Sequence, residues 1–204
     1  MRSKMMGMMV LVLGLVMFFG NSCQKKEPKL TEATSVSGSK NEPAWVTMCD
    51  AAFPDAGKEA FYGCGAVNGI TNPGLEITTA DARAKTDLSR KLESWVGNLY
   101  EDVMKSAAIS EQNKKNKVSE AQGTQFVKDV TKQVTEMTLY GVQTVDRWRG
   151  PDGTLYSVVK VSFDNVAQTM KKQMAARAKE IELDADKALE ELDKELEKRR
   201  ESGN

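Results

Sequence analysis

The sequence predicts an α+β fold. A small sheet, made of one N-terminal strand and a β-hairpin, packs against two amphipathic helices, and a long C-terminal helix follows. Three patterns predict it. Apolar residues between Thr78 and Val103 recur at three- and four-residue steps, the period of one helix face. Leu139–Arg149 and Thr154–Phe163 are β-favouring runs on either side of Gly150-Pro151-Asp152-Gly153, a turn cluster. From Asp164 to about Arg200 the pattern is helical and densely charged.

The chain has 204 residues, enough for one domain with appendages. Its 29 Lys and Arg balance 29 Asp and Glu, so it lacks the basic excess with which proteins attract nucleic acid. It has no His, which removes His-based triads, His metal sites and the usual proton shuttle near neutral pH. No metal site and no cofactor is expected.

Residues 1–22 read as a bacterial lipoprotein signal peptide. Arg2 and Lys4 form a short positive region, and the apolar run Met5–Phe19 is shorter than the roughly 20 residues a spanning helix needs. Small or polar Gly20, Asn21 and Ser22 precede Cys23. A Cys at that place resembles a lipobox, with Gly20 standing where Leu is usual and Phe19 supplying the bulk one position early. Cys23 is therefore the expected lipidation site; an uncleaved anchor and an ordinary secretory signal are the other readings. Several palmitate-type chains on one Cys would hold the protein stably on a membrane. By resemblance to bacterial lipoprotein sorting, where Asp after the Cys retains proteins in the inner membrane, Gln24 points to the outer membrane. Loss of residues 1–22 removes Arg2 and Lys4 and leaves the mature chain two units acidic.

Residues 23–42 read as a lipid-anchored flexible tether, because their polar composition cannot offset the entropy of ordering. Such a coil spans roughly 25 Å. Ser37 and Lys40 have the spacing of Ser–Lys acyl enzymes, but a flexible tether supplies neither the helix start nor the dry pocket which that chemistry needs.

The folded α+β domain is expected over 43–165, opening with Pro43-Ala44-Trp45-Val46. Cys49 and Cys64 would face an oxidising compartment, where disulfides persist. A bridge between them would contribute about 3 kcal/mol; two buried free thiols are the alternative. Ala60–Val67 is the first strand, and Gly63 and Gly65 inside it let a helix approach closely rather than cradle a phosphate. The first helix starts near Thr78 or Thr79, with Ala84, Leu88, Leu92, Trp95, Leu99 and Val103 facing the core. Arg83, Lys85, Asp87, Arg90 and Glu93 are mostly turned to water. After the polar stretch Ser110–Lys117 a second helix begins at Ser119, with Gln122 completing a capping box and Phe126, Val130, Val134 and Met137 as its stripe. In the hairpin's second run, Leu155, Val159, Val161 and Phe163 share one face, and Trp148 covers the core.

Residues 166–204 are expected to be a charged C-terminal helix; the helical pattern from Asp164 to about Arg200 would be roughly 55 Å long. Val166, Met170 and Met174 dock on the core. Ile181, Leu189, Leu192 and Leu196 form a thin stripe beyond them, an interaction surface for self-association or a partner in the manner of a short coiled coil. A lone solvated helix is the other reading. Glu190–Lys194 and Glu195–Arg199 have ion-pair spacing.

The segments Pro43-Ala44-Trp45-Val46, Gly63-Cys64-Gly65, Ala80-Asp81-Ala82-Arg83-Ala84, Trp148 and Asp152-Gly153-Thr154-Leu155-Tyr156-Ser157-Val158 together resemble the Lpp-twenty type bacterial lipoprotein family. That family is related to the flagellar lipoprotein FlgP and the N-terminal domain of FlgT. The resemblance covers about residues 43–165. It implies an α+β domain on a lipid anchor, without recognised catalysis, associated with the outer membrane or the flagellum; it supplies no ligand-binding positions. The expectation is a non-enzymatic, lipid-anchored cell-envelope protein on the bacterial outer membrane, facing the periplasm. It would act as a structural or assembly module on protein partners or a second copy of itself. An envelope binding module for a small lipid or a peptidoglycan fragment is the alternative.

Overall fold

The computed structural model describes residues 41–110, 120–181 and 184–203. A short helix α1 (Ala44–Met48) and a 3₁₀ turn (Cys49–Ala52) lead into strand β1 (Ala60–Val67). Helices α2 (Pro73–Ser110) and α3 (Glu120–Leu139) follow, then the hairpin β2 (Gln143–Arg149) and β3 (Leu155–Ser162). The chain ends with α4 (Phe163–Arg177), a 3₁₀ turn (Ala178–Ile181) and α5 (Ala185–Ser202). The fold is α+β, with an antiparallel sheet ordered β1-β3-β2. Register sets Cys64 opposite Val158 and Trp148 opposite Tyr156.

Helix α2 starts at Pro73, five residues before the expected Thr78. The Leu75 backbone N–H donates to Asn72 Oδ1 at 3.0 Å, so Asn72 is the cap and Pro73 takes the first helical position, where its missing N–H costs nothing. Thr78 and Thr79 lie inside the helix, their hydroxyls donating to the carbonyls of Gly74 and Leu75. The expected stripe is buried at Ala84, Leu88, Leu92, Leu99 and Val103, and Ala80, Val96 and Tyr100 widen it. Trp95 is half-buried at its edge.

Gly63 and Gly65 bring β1 against α2. A Cβ on Gly63 would stand 2.5 Å from the Ala84 carbonyl oxygen, a distance real side chains do not tolerate. In α3, Phe126, Val130 and Val134 are buried as expected, but Met137 is 46% exposed; Thr131, Thr135 and Thr138 turn inward in its place. Ser119 lies outside the described residues.

Both faces of β3 are covered. Val159 and Val161 join the helix core, while Val158 belongs to a second cluster with Trp45, Phe53 and Tyr62. Alternation along β3 therefore separates two cores rather than core from water. Leu139 belongs to α3, so β2 begins only at Gln143.

The tail departs most from expectation. It is an antiparallel helix pair, not one protruding rod. Asp184 breaks it by capping α5, its Oδ1 accepting the Lys187 backbone N–H at 3.3 Å. Lys171–Asp193 (2.6 Å) and Asp164–Arg200 (3.1 Å) then join α4 to α5 in opposite directions. Ala188, Leu192 and Leu196 are buried in the same core as Leu88, Leu92 and Met170. Glu190–Lys194 forms at 2.9 Å, but Arg199 reaches Asp102 of α2 instead of Glu195.

Candidate functional site

In an antiparallel strand alternate residues aim both backbone groups at the same side, so the outer edge of β1 presents Tyr62, Cys64 and Ala66. Three α2 side chains spaced one turn apart close this edge. Arg83 Nη1 donates to the Ala66 carbonyl (2.7 Å), the Cys64 N–H donates to Asp87 Oδ2 (3.0 Å), and Lys91 Nζ donates to the Tyr62 carbonyl (3.4 Å). Arg83 and Asp87 thus have backbone partners, unlike the plain solvated face expected of them.

The expected Cys pair lies at this edge. Cys49 and Cys64 are at disulfide distance, with sulfurs 2.06 Å and Cα atoms 5.8 Å apart. Cys49 has φ +49°, unusual for a residue with a side chain. Lys91 Nζ stands 3.5 Å from its sulfur and 3.1 Å from both Asp50 Oδ1 and Asp87 Oδ2.

Beside Lys91 opens a cleft of about 500 Å³. Asp50, Ala51 and Phe53 from the segment after Cys49 line it, with Phe61 and Tyr62 of β1, Trp95 of α2, and Gly203 at the end of α5. Phe53 and Tyr62 stack with ring centres 3.8 Å apart, and Phe61 meets Trp95 edge-on at 4.8 Å. The Tyr62 hydroxyl donates to Asp55 at 3.0 Å; burial first, and then that carboxylate, push its pKa above the usual phenol value. A Cβ on Gly57 (φ +75°) would stand 2.5 Å from the carbonyl oxygen of Gly203 (φ +73°), so glycine lets the end of α5 come up to the cleft. None of the cleft follows a sequence period; the one available signal was the aromatic and acidic content of Asp50–Tyr62.

Near the N-terminal end of α2, two carboxylates are engaged by arginines of β2. Arg147 forks onto Asp81 (2.8 and 2.5 Å), which also accepts from buried Ser157 (2.7 Å). Arg149 forks onto buried Glu76 (2.9 and 2.6 Å). Each arginine holds its carboxylate below the usual range, chiefly by hydrogen bonding.

Cys23, with the whole signal and tether through residue 40, lies outside the described residues, as do Ser37 and Lys40. Ile181 ends a 3₁₀ turn, and its side chain lies outside them too. The interaction stripe expected on the tail is corrected: Leu192 and Leu196 are core residues, and Leu189 packs half-buried against them. Trp148 packs against Tyr156 in the second core. No protein-family model matches this chain, and no curated protein matches it.

Proposed function

We propose that this is a lipid-anchored protein of the bacterial outer membrane, of the Lpp-twenty type, acting in the envelope through binding contacts and without catalysis. The observation that carries the reading is the Cys49–Cys64 pair at disulfide distance in a chain whose third Cys follows a short apolar leader. A disulfide fits an exported domain, and Cys23 is then left as the lipid attachment point. Among the described residues no helix is long and apolar enough to cross a membrane. The contacts are made by the periplasm-facing domain, with protein partners at the envelope. Glu76 and Asp81, whose carboxyls the arginines hold below their ordinary values, serve to clamp α2 to the hairpin, a structural use.

A second reading, a module for a small envelope ligand, is favoured by the cleft beside Lys91. The primary reading is tested by growing expressing cells with an alkyne-tagged palmitate. Label on the wild-type protein, absent from Cys23→Ala, is the expected result. An unlabelled wild type that leaves the membrane with a salt wash would sink the anchor.

A further inference from the structure

We infer that the cleft beside Lys91 is a glycan site, taking one or two neutral sugar rings; this rests on the binding-module reading and names its ligand class. The walls are aromatic: Phe61 and Trp95 on one side, the Phe53–Tyr62 stack on the other. Phe61 and Trp95 are only half-buried, so part of each ring is open to a ligand. The polar element among these rings is Asp50, which takes Lys91 Nζ at Oδ1 (3.1 Å) and keeps 51% of its side chain exposed.

Charge and desolvation narrow the ligand. Lys91 already binds Asp50, Asp87 and the Tyr62 carbonyl, so its ammonium is neutralised in place rather than held for an anion. Arg199, over the Trp95 ring at 5.8 Å, is likewise paired with Asp102 at 2.8 Å. An anion therefore finds this ammonium and this guanidinium already paired, and an added cation would compete with Lys91 for Asp50. A fatty chain would strip water from the Asp50–Lys91 pair and return no hydrogen bond. A sugar ring satisfies both requirements. Phe163 stacks on one face of Phe61 and Arg199 covers one face of Trp95, so the sugar's C–H face lies on what remains open of these rings, and its hydroxyls donate to Asp50. The cleft volume of about 500 Å³ falls in the range of small-molecule sites.

The test uses the full-length protein in a detergent without a sugar headgroup, with chitobiose as probe and decanoate as the apolar comparison. Saturation-transfer NMR should show saturable contact to the ring-face protons of the disaccharide. Ala51→Trp, a change at an exposed cleft residue, should abolish it. Asp50→Asn should weaken it about tenfold, the loss of one charge-assisted hydrogen bond. Chitobiose contact that survives Ala51→Trp places the sugar elsewhere and overturns the proposal. Decanoate binding that Ala51→Trp blocks, with no chitobiose contact, overturns the glycan assignment and leaves a binding module for lipid. If neither probe binds, the glycan site and the binding-module reading fall together, while labelling of Cys23 decides the anchor separately.

Discussion

Asp87 Oδ2 accepts the backbone N–H of Cys64 at 3.0 Å, so a helix carboxylate occupies the place where a fourth strand would bind. Four residues along a helix rise about 6 Å and two along a strand about 6.7 Å, so Arg83, Asp87 and Lys91 stay in step with Ala66, Cys64 and Tyr62. The edge is closed by side chains that also carry charge, which discourages pairing with another chain.

Asp87→Ala should lower stability by about 1–3 kcal/mol, because it strips a part-buried edge N–H of its acceptor and Lys91 of a partner. Asp87→Asn retains an acceptor and should cost less, and exposed Arg83→Ala less than Asp87→Ala. Urea unfolding of the three variants gives the order; equal midpoints for Asp87→Ala and wild type would refute the edge-closing role.

Breaking the Cys49–Cys64 link should cost about 3 kcal/mol, and the Cys49→Ala/Cys64→Ala double variant should show it as a lower urea midpoint without reductant. Wild type treated with dithiothreitol should approach the same midpoint. Maleimide mass labelling of unfolded, unreduced protein provides the direct check: two modified cysteines at these positions would mean free thiols.

The helix stripes were legible because burial on one face leaves a period in the sequence, as at Leu88 and Leu92 or Val130 and Val134. The roles of Asp87 and Lys91 were not, since a charged residue's partner depends on strand register, and nothing in Arg83-Ala84-Lys85 announces that Ala66 lies opposite. The fold-back at Asp184 had a local signal, Asp before Ala185-Asp186, but Leu189, Leu192 and Leu196 continue a helical period across it and conceal the break. Their burial depends on the tertiary contact with α2 and α4. The cleft residues come from a loop, a strand start, a mid-helix position and the chain's far end, which meet only after folding.

Acid should weaken the α2–hairpin clamp. Asp81 and Glu76 have folded pKa values below their unfolded ones, so their contribution is complete above the unfolded values near 4. As pH falls from about 5, protons bind the unfolded chain first and stability declines, until the folded carboxylates are protonated as well. Between about pH 6 and 8 these two groups contribute no slope. The Asp81→Asn/Glu76→Gln variant should be less stable at pH 7 and should show a shallower loss between about pH 5 and 3. Equal slopes for variant and wild type would exclude the clamp as the source.

Leu192→Ala should destabilise the domain by about 2–5 kcal/mol, the usual cost of emptying a sealed core position, whereas a surface stripe would lose almost nothing. Half-buried Leu189→Ala should cost less. Removing residues 178–204 takes Ala188, Leu192 and Leu196 away from Leu92, Leu99 and Met170, leaving a large apolar face on α2 and α4. That truncation should unfold or aggregate rather than give a tidy monomer. Thermal unfolding of Leu192→Ala and Leu189→Ala, with light scattering of both, separates the cases: a change of assembly size at constant stability would restore the docking-surface reading of the tail.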